Sequence, residues 1–224
     1  MLDPKMTERF SRRTALIGLG MTFLGGGALA QPAAKAAPAP VLNAADKALV
    51  DKAVAYLQGL TSAKGRFVQT DARGAVARGS LYLQRPGKAR FAYDPPSGLI
   101  IVSNGSTVSV SDTRLKTFQS YPLAASPLSL FLAREIRLDR GVVVDRVERL
   151  AGGFAVSARD GRRQAEGRIK LMFSNAPALT GWEITDAQGA TTRVALIELA
   201  PAGALDPALF VLRDPRPRPG GGRP

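Results

Sequence analysis

"SLYLQRPGKARF", Ser80–Phe91, reads as a strand, a turn and the start of a second strand. Side chains alternate between two faces of an extended chain. Leu81, Leu83 and Arg85 therefore share one face, and Tyr82 and Gln84 the other. Pro86-Gly87 can turn the chain, because proline fixes φ and glycine accepts φ > 0. A row of leucines that ends in a cation admits two readings. Either the strand is over and Arg85 stands in water, or something on the leucine face holds it.

On either side of this hairpin the pattern repeats. Arg66–Asp71 is a short strand holding Phe67, Val68 and Thr70, residue types that strands favour. Val76–Arg85 and Lys88–Tyr93 follow, with Ala89, Phe91 and Tyr93 on one face of the latter. Asp94-Pro95-Pro96 stops pairing, since proline has no N–H for a ladder. Leu99–Ser103 and Thr107–Ser111 flank Asn104-Gly105, a strong hairpin signal. Lys116–Tyr121 closes the first series. Strands resume near Val142 and run through Phe154–Ala158, Gly167–Phe173, Leu179–Ala187 and Ala190–Leu199, with turns at Gly152-Gly153, Asp160-Gly161 and Gln188-Gly189.

Two apolar helices interrupt this series. Asn43 is an N-cap candidate with Asp46 three residues on, and Leu49, Val50, Ala53, Val54, Leu57 and Leu60 follow at helical spacing. "PLAASPLSLFLAR", Pro122–Arg134, places Pro127 in a first turn and Leu128, Leu130, Phe131 and Leu132 behind it. Asp206–Phe210 is expected to make one helical turn. A meander of roughly ten strands curls, splits or closes. The expected fold is mainly β: a curled antiparallel sheet wrapped around the short helices. A closed lipocalin-like barrel with external helices is the architectural rival.

The ends of the chain read differently. Residues 1–30 look like an export signal: basic Arg9, Arg12 and Arg13, an apolar Ala15–Leu24, and Ala28-Leu29-Ala30 for a signal peptidase. The Arg12-Arg13 pair ahead of the apolar core points to a twin-arginine signal, with a Sec signal as the alternative. Residues 31–41 are an Ala/Pro linker, 42–212 the folded domain, and 213–224 a basic Pro/Gly tail expected to be disordered. The address implied is the periplasm. The formal charge of +13 falls to +11 once Lys5, Arg9, Arg12, Arg13, Asp3 and Glu8 leave with the signal. In that compartment anionic lipid or an acidic protein is a better partner than nucleic acid.

The 224 residues hold no His and no Cys. Disulfides, thiolate metal sites, cysteine nucleophiles and histidine general bases are thereby excluded. Asp139, Asp145, Glu148, Asp160, Glu166, Glu183 and Asp186 remain as carboxylates for a glycoside-hydrolase-like pair, a minor alternative. No catalytic residue, metal or cofactor is expected, and the chain is not expected to be an enzyme. The apolar inventory says more. Phe67, Leu81, Leu83, Phe91, Tyr93, Ile100, Val102, Phe118 and Tyr121 are candidates to line an apolar cavity inside the curled sheet. Leu49, Ala53, Leu57, Leu128, Phe131 and Leu132 are candidates for a helical lid. Such a cavity suits a ligand with a long hydrocarbon part.

"FVQT" (Phe67–Thr70), "GSLYLQRPGKARFAY" (Gly79–Tyr93), "IIVSNG" (Ile100–Gly105) and "PLAASPLSLFLA" (Pro122–Ala133), in this order and spacing, resemble the periplasmic outer-membrane lipoprotein carrier family, LolA. The resemblance implies an incomplete, unclosed antiparallel barrel with a helical lid over its concave side. It implies a monomeric carrier that takes acylated lipoproteins from an inner-membrane ABC lipoprotein-releasing complex, crosses the periplasm and hands them to an outer-membrane acceptor. It also implies a role for Arg85: a latch that hydrogen-bonds to the lid and holds the empty cavity closed. Arg90 is left without a role beyond a solvated face. Thr107–Ser111 departs from the aromatic residues the family often carries after the Asn-Gly turn. Similar folds also serve as carriers or sensors of free lipids and glycolipids.

Overall fold

The computed structural model describes residues 41–126, 128–136, 142–161 and 167–214. The expected signal, most of the Ala/Pro linker, Pro127, Asp139, Glu166 and all but the start of the basic tail lie outside these residues.

Helix α1 spans Ala44–Gly59. It begins where Asn43 Oδ1 accepts the Asp46 amide at 2.8 Å, a side-chain cap for an otherwise unpaired N–H. Val50, Ala53 and Leu57 form its buried stripe. Six strands follow: β1 (Ser62–Thr70), β2 (Val76–Gln84), β3 (Lys88–Tyr93), β4 (Leu99–Asn104), β5 (Thr107–Asp112) and β6 (Thr117–Pro122). A 3-10 turn (Leu123–Ala125) leads into α2 (Leu128–Leu132). Five more strands complete the sheet: β7 (Val142–Leu150), β8 (Gly153–Asp160), β9 (Arg168–Ser174), β10 (Leu179–Thr185) and β11 (Thr191–Pro201), before a 3-10 turn at Pro207–Phe210.

All eleven strands form one antiparallel sheet in the order β6-β5-β4-β3-β2-β1-β11-β10-β9-β8-β7. The eleven strands fall on the segments expected from the sequence, with β7 and β8 forming a hairpin. β6 and β7 are the free edges, so the sheet is unclosed and the closed-barrel alternative falls. The sheet is nevertheless strongly curled. Phe91 on β3 and Trp182 on β10 are four strand positions apart, about 19 Å along a flat sheet. Their ring centroids are 6.0 Å apart. Side chains standing perpendicular to a flat sheet do not meet at that separation.

The core lies inside this curl. α1 contributes Val50, Ala53 and Leu57, α2 contributes Leu128, Phe131 and Leu132, and strands from β1 to β11 close around them. Gly79 shows how tight the wall is. A Cβ there would lie 2.7 Å from the Phe67 ring and 2.4 Å from Ala92 O. Glycine lets the Phe67 ring lie flat across β2, edge-on to Tyr93 at 5.0 Å.

Candidate functional site

The concave face is set by strand register. Leu81 pairs with Phe91, Leu83 with Ala89, and Phe91 with Ile101. Phe67, Leu81, Leu83 and Phe91 are buried in the core, and Tyr93 and Tyr121 pack against it. The same register corrects three cavity candidates. Val102 pairs with Arg90 and Ile100 with Ala92, so both point to the outer face, while Leu99 and Ile101 face the core. Phe118 pairs with Ser111, on the outer face too, because it stands three residues from Tyr121 and parity separates them. Val102 is buried all the same: the C-terminal turn at Pro207–Phe210 packs over β3 and β4. Arg90 is therefore half-buried beside that turn rather than on an open face. Its Nη1 donates to Leu209 O at 3.1 Å, and Lys88 Nζ sits 5.9 Å above the Phe210 ring.

Both helices lie over the concave face. Among the lid candidates Ala53, Leu57, Leu128, Phe131 and Leu132 are buried, and Leu49 is partly so. Ser126 Oγ accepts the Leu128 amide at 3.2 Å, at the start of α2. Between lid and sheet run two crevices. The first encloses about 460 Å³ of space between atoms, part of it open to solvent. Its walls are apolar throughout: Leu57 of α1, Leu130 and Phe131 of α2, and Val156, Ile169 and Leu171 of the sheet among them. The second, of about 300 Å³, lies between Leu128 and the wall formed by Phe91, Tyr93, Trp182 and Val194. Phe131 lines the first and Trp182 the second, with their rings 6.0 Å apart, so this contact stands between the two.

The strands after α2 thus supply much of the wall: Phe154, Val156, Ile169, Phe173, Trp182 and Ile184. Sequence reading placed those strands but assigned them no lining residues. The alternation of Trp182 with Ile184, and of Ile169, Leu171 and Phe173, carried the signal. Tyr56 and Phe173 extend it, edge to face at 6.0 Å, joining α1 to β9.

Arg85 is directed at the helices, not at water. Its Nη1 donates to Leu57 O, in the last turn of α1. Nε and Nη2 both donate to Ala133 O, at 3.2 and 2.7 Å, just past α2, and Nη2 lies 3.5 Å from Arg134 O. These are carbonyls at helix ends, where the regular intrahelical ladder stops and an oxygen has a lone pair to spare, and the fork of a guanidinium reaches two of them at once. Burial pushes the Arg85 pKa below the ordinary arginine value, but the group stays charged at neutral pH. The turn itself is fixed by backbone: Arg85 N donates to Thr61 O at 2.7 Å and Gly87 N to Leu132 O at 2.8 Å. Gly87 has φ 77° and its Cβ would lie 2.5 Å from Gly105 Cα, so only glycine fits.

Gln58 is a second tie that sequence reading missed. Its Nε2 donates to Arg134 O at 3.2 Å and its Oε1 accepts the Ile136 amide at 3.1 Å. Nothing in a lone glutamine beside Leu57 signals this. Neither crevice is lined by a carboxylate. Asp145 is engaged by Arg159 and Arg168, Glu148 by Lys170 and Glu183 by Arg193.

Comparison with known proteins adds the family. The family described as "Outer membrane lipoprotein carrier protein LolA" matches residues 58–213. An outer-membrane lipoprotein carrier protein of Methylococcus capsulatus is 30% identical over 140 residues, 61% of this chain and 67% of that one. One of Chromobacterium violaceum is 28% identical over 171 residues, 72% of this chain and 82% of that one. The crystal structure of a LolA superfamily protein of Nitrosomonas europaea is 12% identical, with a TM-score of 0.44 over 75% of this chain and 97% of that one. The match over residues 58–213 spans both halves of the sheet, α2 and the Arg85 turn, and the chain belongs to the LolA family of outer membrane lipoprotein carrier proteins.

Proposed function

We propose that this chain is a periplasmic carrier that shields the acyl chains of lipoproteins and moves them from the inner to the outer membrane. The observation that carries the reading is the apolar crevice under two helices whose ends are gathered by one arginine. The relatives in M. capsulatus and C. violaceum are named as lipoprotein carriers, which supports it. The partners expected are an inner-membrane ABC lipoprotein-releasing complex and an outer-membrane acceptor.

The energetics suit a carrier rather than a permanent binder. Leu128, Phe131 and Leu132 are buried between lid and sheet, and an acyl chain entering there would displace them. Exposing three such side chains costs about 1.5–3 kcal/mol each. Burying a chain of about sixteen carbons gains about 0.8 kcal/mol per CH₂. The chain wins, but the refolding lid returns a large fraction of that gain on release. Arg85 adds to the closed, empty state, where its guanidinium has two helix-end partners. In the open state it exchanges them for water. The arginine thereby favours release without touching cargo.

The test is the membrane distribution of lipoproteins after depletion of the protein, read by density fractionation. Lipoproteins retained at the inner membrane are expected. A normal distribution in a strain without a paralogue would overturn the proposal. Mass spectrometry of what co-purifies with the protein separates acylated peptides from free lipids or glycolipids.

A further inference from the structure

The two crevices differ in chemistry. The first has no polar side chain on its walls, whereas the second includes Gln69, Tyr93 and Thr192 among its apolar residues. Strand register brings the glutamine and the threonine together on the concave face. Gln69 pairs with Val194, Val194 with Trp182, and Thr192 with Ile184. Gln69 stands seven residues along β1 from Ser62, and Ser62 pairs with Gln84 beside the Arg85 turn. This polar group is therefore at the opposite end of the sheet from Arg85, about 23 Å of strand away.

The hydrogen bonds there are incomplete in one direction. The Tyr93 hydroxyl donates to Gln69 Oε1 at 2.7 Å. That bond fixes the amide and aims its NH₂ away from Tyr93. Neither the Gln69 NH₂ nor the Thr192 hydroxyl donates to another described residue, and both atoms keep some contact with solvent at the mouth of the crevice. A ligand that enters the crevice displaces the water these donors reach, and they are then satisfied only if the ligand brings an acceptor. A long-chain acyl ester or amide is mostly hydrocarbon with a carbonyl acceptor at its head, and an ester brings no donor. The ligand lacks what the wall supplies, and the wall lacks what the ligand supplies.

We infer that the second crevice is a head-group subsite in which the Gln69 amide and the Thr192 hydroxyl bind the carbonyl oxygen of an acyl ester or amide. The inference rests on the carrier reading and assigns the direction of the bound chain. The carbonyl sits at the Gln69–Thr192 end, and the hydrocarbon runs past Trp182 and Phe131 into the wholly apolar crevice. The subsite selects acyl chains over other hydrocarbon of the same length.

The experiment is displacement of an apolar fluorescent dye from the mature protein by three probes: a dipalmitoylglyceryl-cysteinyl peptide, its dihexadecyl ether analogue, and dipalmitoylglycerol. The ester peptide is expected to bind about 3–10-fold more tightly than the ether, the range of one or two hydrogen bonds. Gln69→Leu and Thr192→Val should each reduce that ester-over-ether ratio. Thr192→Val is nearly isosteric and carries the test alone if Gln69→Leu melts early. Dipalmitoylglycerol distinguishes the source of the carbonyl: binding as tight as the peptide's assigns the subsite to free lipids as well. Equal binding of ester and ether, or an unreduced preference in both variants, overturns the subsite and leaves the carrier reading intact. Failure of every probe to displace the dye overturns the carrier reading and the subsite with it.

Discussion

Replacing Arg85 by leucine is the sharpest perturbation of the lid. The substitution removes the donors to Leu57 O and Ala133 O while leaving the Arg85 and Gly87 backbone bonds to Thr61 O and Leu132 O in place. The turn therefore keeps its scaffold, and the variant should fold. A hydrogen bond to a charged group contributes about 1.5–3 kcal/mol. Arg85 is only half-buried, so the lower figure applies to each of its two carbonyl partners, about 3 kcal/mol together. The open state loses nothing, because there the guanidinium is solvated. The ratio of closed to open protein then falls by about a hundredfold. Arg85→Lys puts a single point charge where two carbonyls on different helices need bridging, and should fall between, at about tenfold.

Three measurements follow one equilibrium. Affinity for a dipalmitoylglyceryl-cysteinyl peptide should rise in Arg85→Leu, by up to a hundredfold. Amide exchange in residues 128–134 of the empty protein should quicken. Transfer of a bound lipoprotein to outer-membrane vesicles should slow. Unchanged lid exchange together with peptide affinity within twofold of the parent would refute the latch, because no other state in the scheme depends on Arg85.

Other consequences are independent of the latch. Trp182 is the sole tryptophan and lies 6.0 Å from both Phe91 and Phe131, so an acyl chain that displaces Phe131 should change its emission; saturation with no change would mean that α2 stays put. Burial holds the hydroxyls of Tyr93 and Tyr121 well above the ordinary phenol pKa near ten. Their raised folded-state values contribute stability that is whole below pH 10 and is lost as pH rises further, so the urea midpoint should fall above pH 10, and less steeply in Tyr93→Phe. Phe210 is 2% exposed beneath Lys88 and against the outer face of β3 and β4. Phe210→Ala should cost about 3–5 kcal/mol in urea unfolding yet leave acyl-probe affinity unaltered, and a loss of affinity in folded protein would tie the outer face to the site.

The sequence was most legible where local chemistry decides structure. The Asn43 cap, the α1 stripe and the Pro86-Gly87 and Asn104-Gly105 turns depend on residues within a few positions of each other, and they fall where expected. Strand parity also placed Leu81, Leu83 and Phe91 inside. It failed at β4 because both faces of that strand are buried: Leu99 and Ile101 against the core, Val102 beneath the C-terminal turn. A strand covered on both sides shows no alternation, so the choice between Ile100 and Ile101 had no local basis. Phe118 is different. Its spacing of three from Tyr121 already assigned them to opposite faces, and the error lay in treating two aromatic residues as one set.

What local reading could not reach is the curl. Phe91 meets Trp182, and Arg85 meets Leu57 and Ala133, only because a sheet of eleven strands bends back around two helices. The arginine is informative for that reason. Parity put it on the leucine face, but parity says nothing of partners. The partners exist because α1 stops at Gly59 and α2 at Leu132, each leaving carbonyls at its end within reach of one guanidinium. Had α1 run one more turn, Arg85 would keep only the acceptors past α2, and had α2 run on, only Leu57 O. Helix length and the arginine are thus coupled. Gly59 and Leu60 consequently matter to the site as much as any cavity residue, since Leu60 ends α1 by donating to Tyr56 O and Leu57 O, which leaves Leu57 O able to accept a second bond from Arg85.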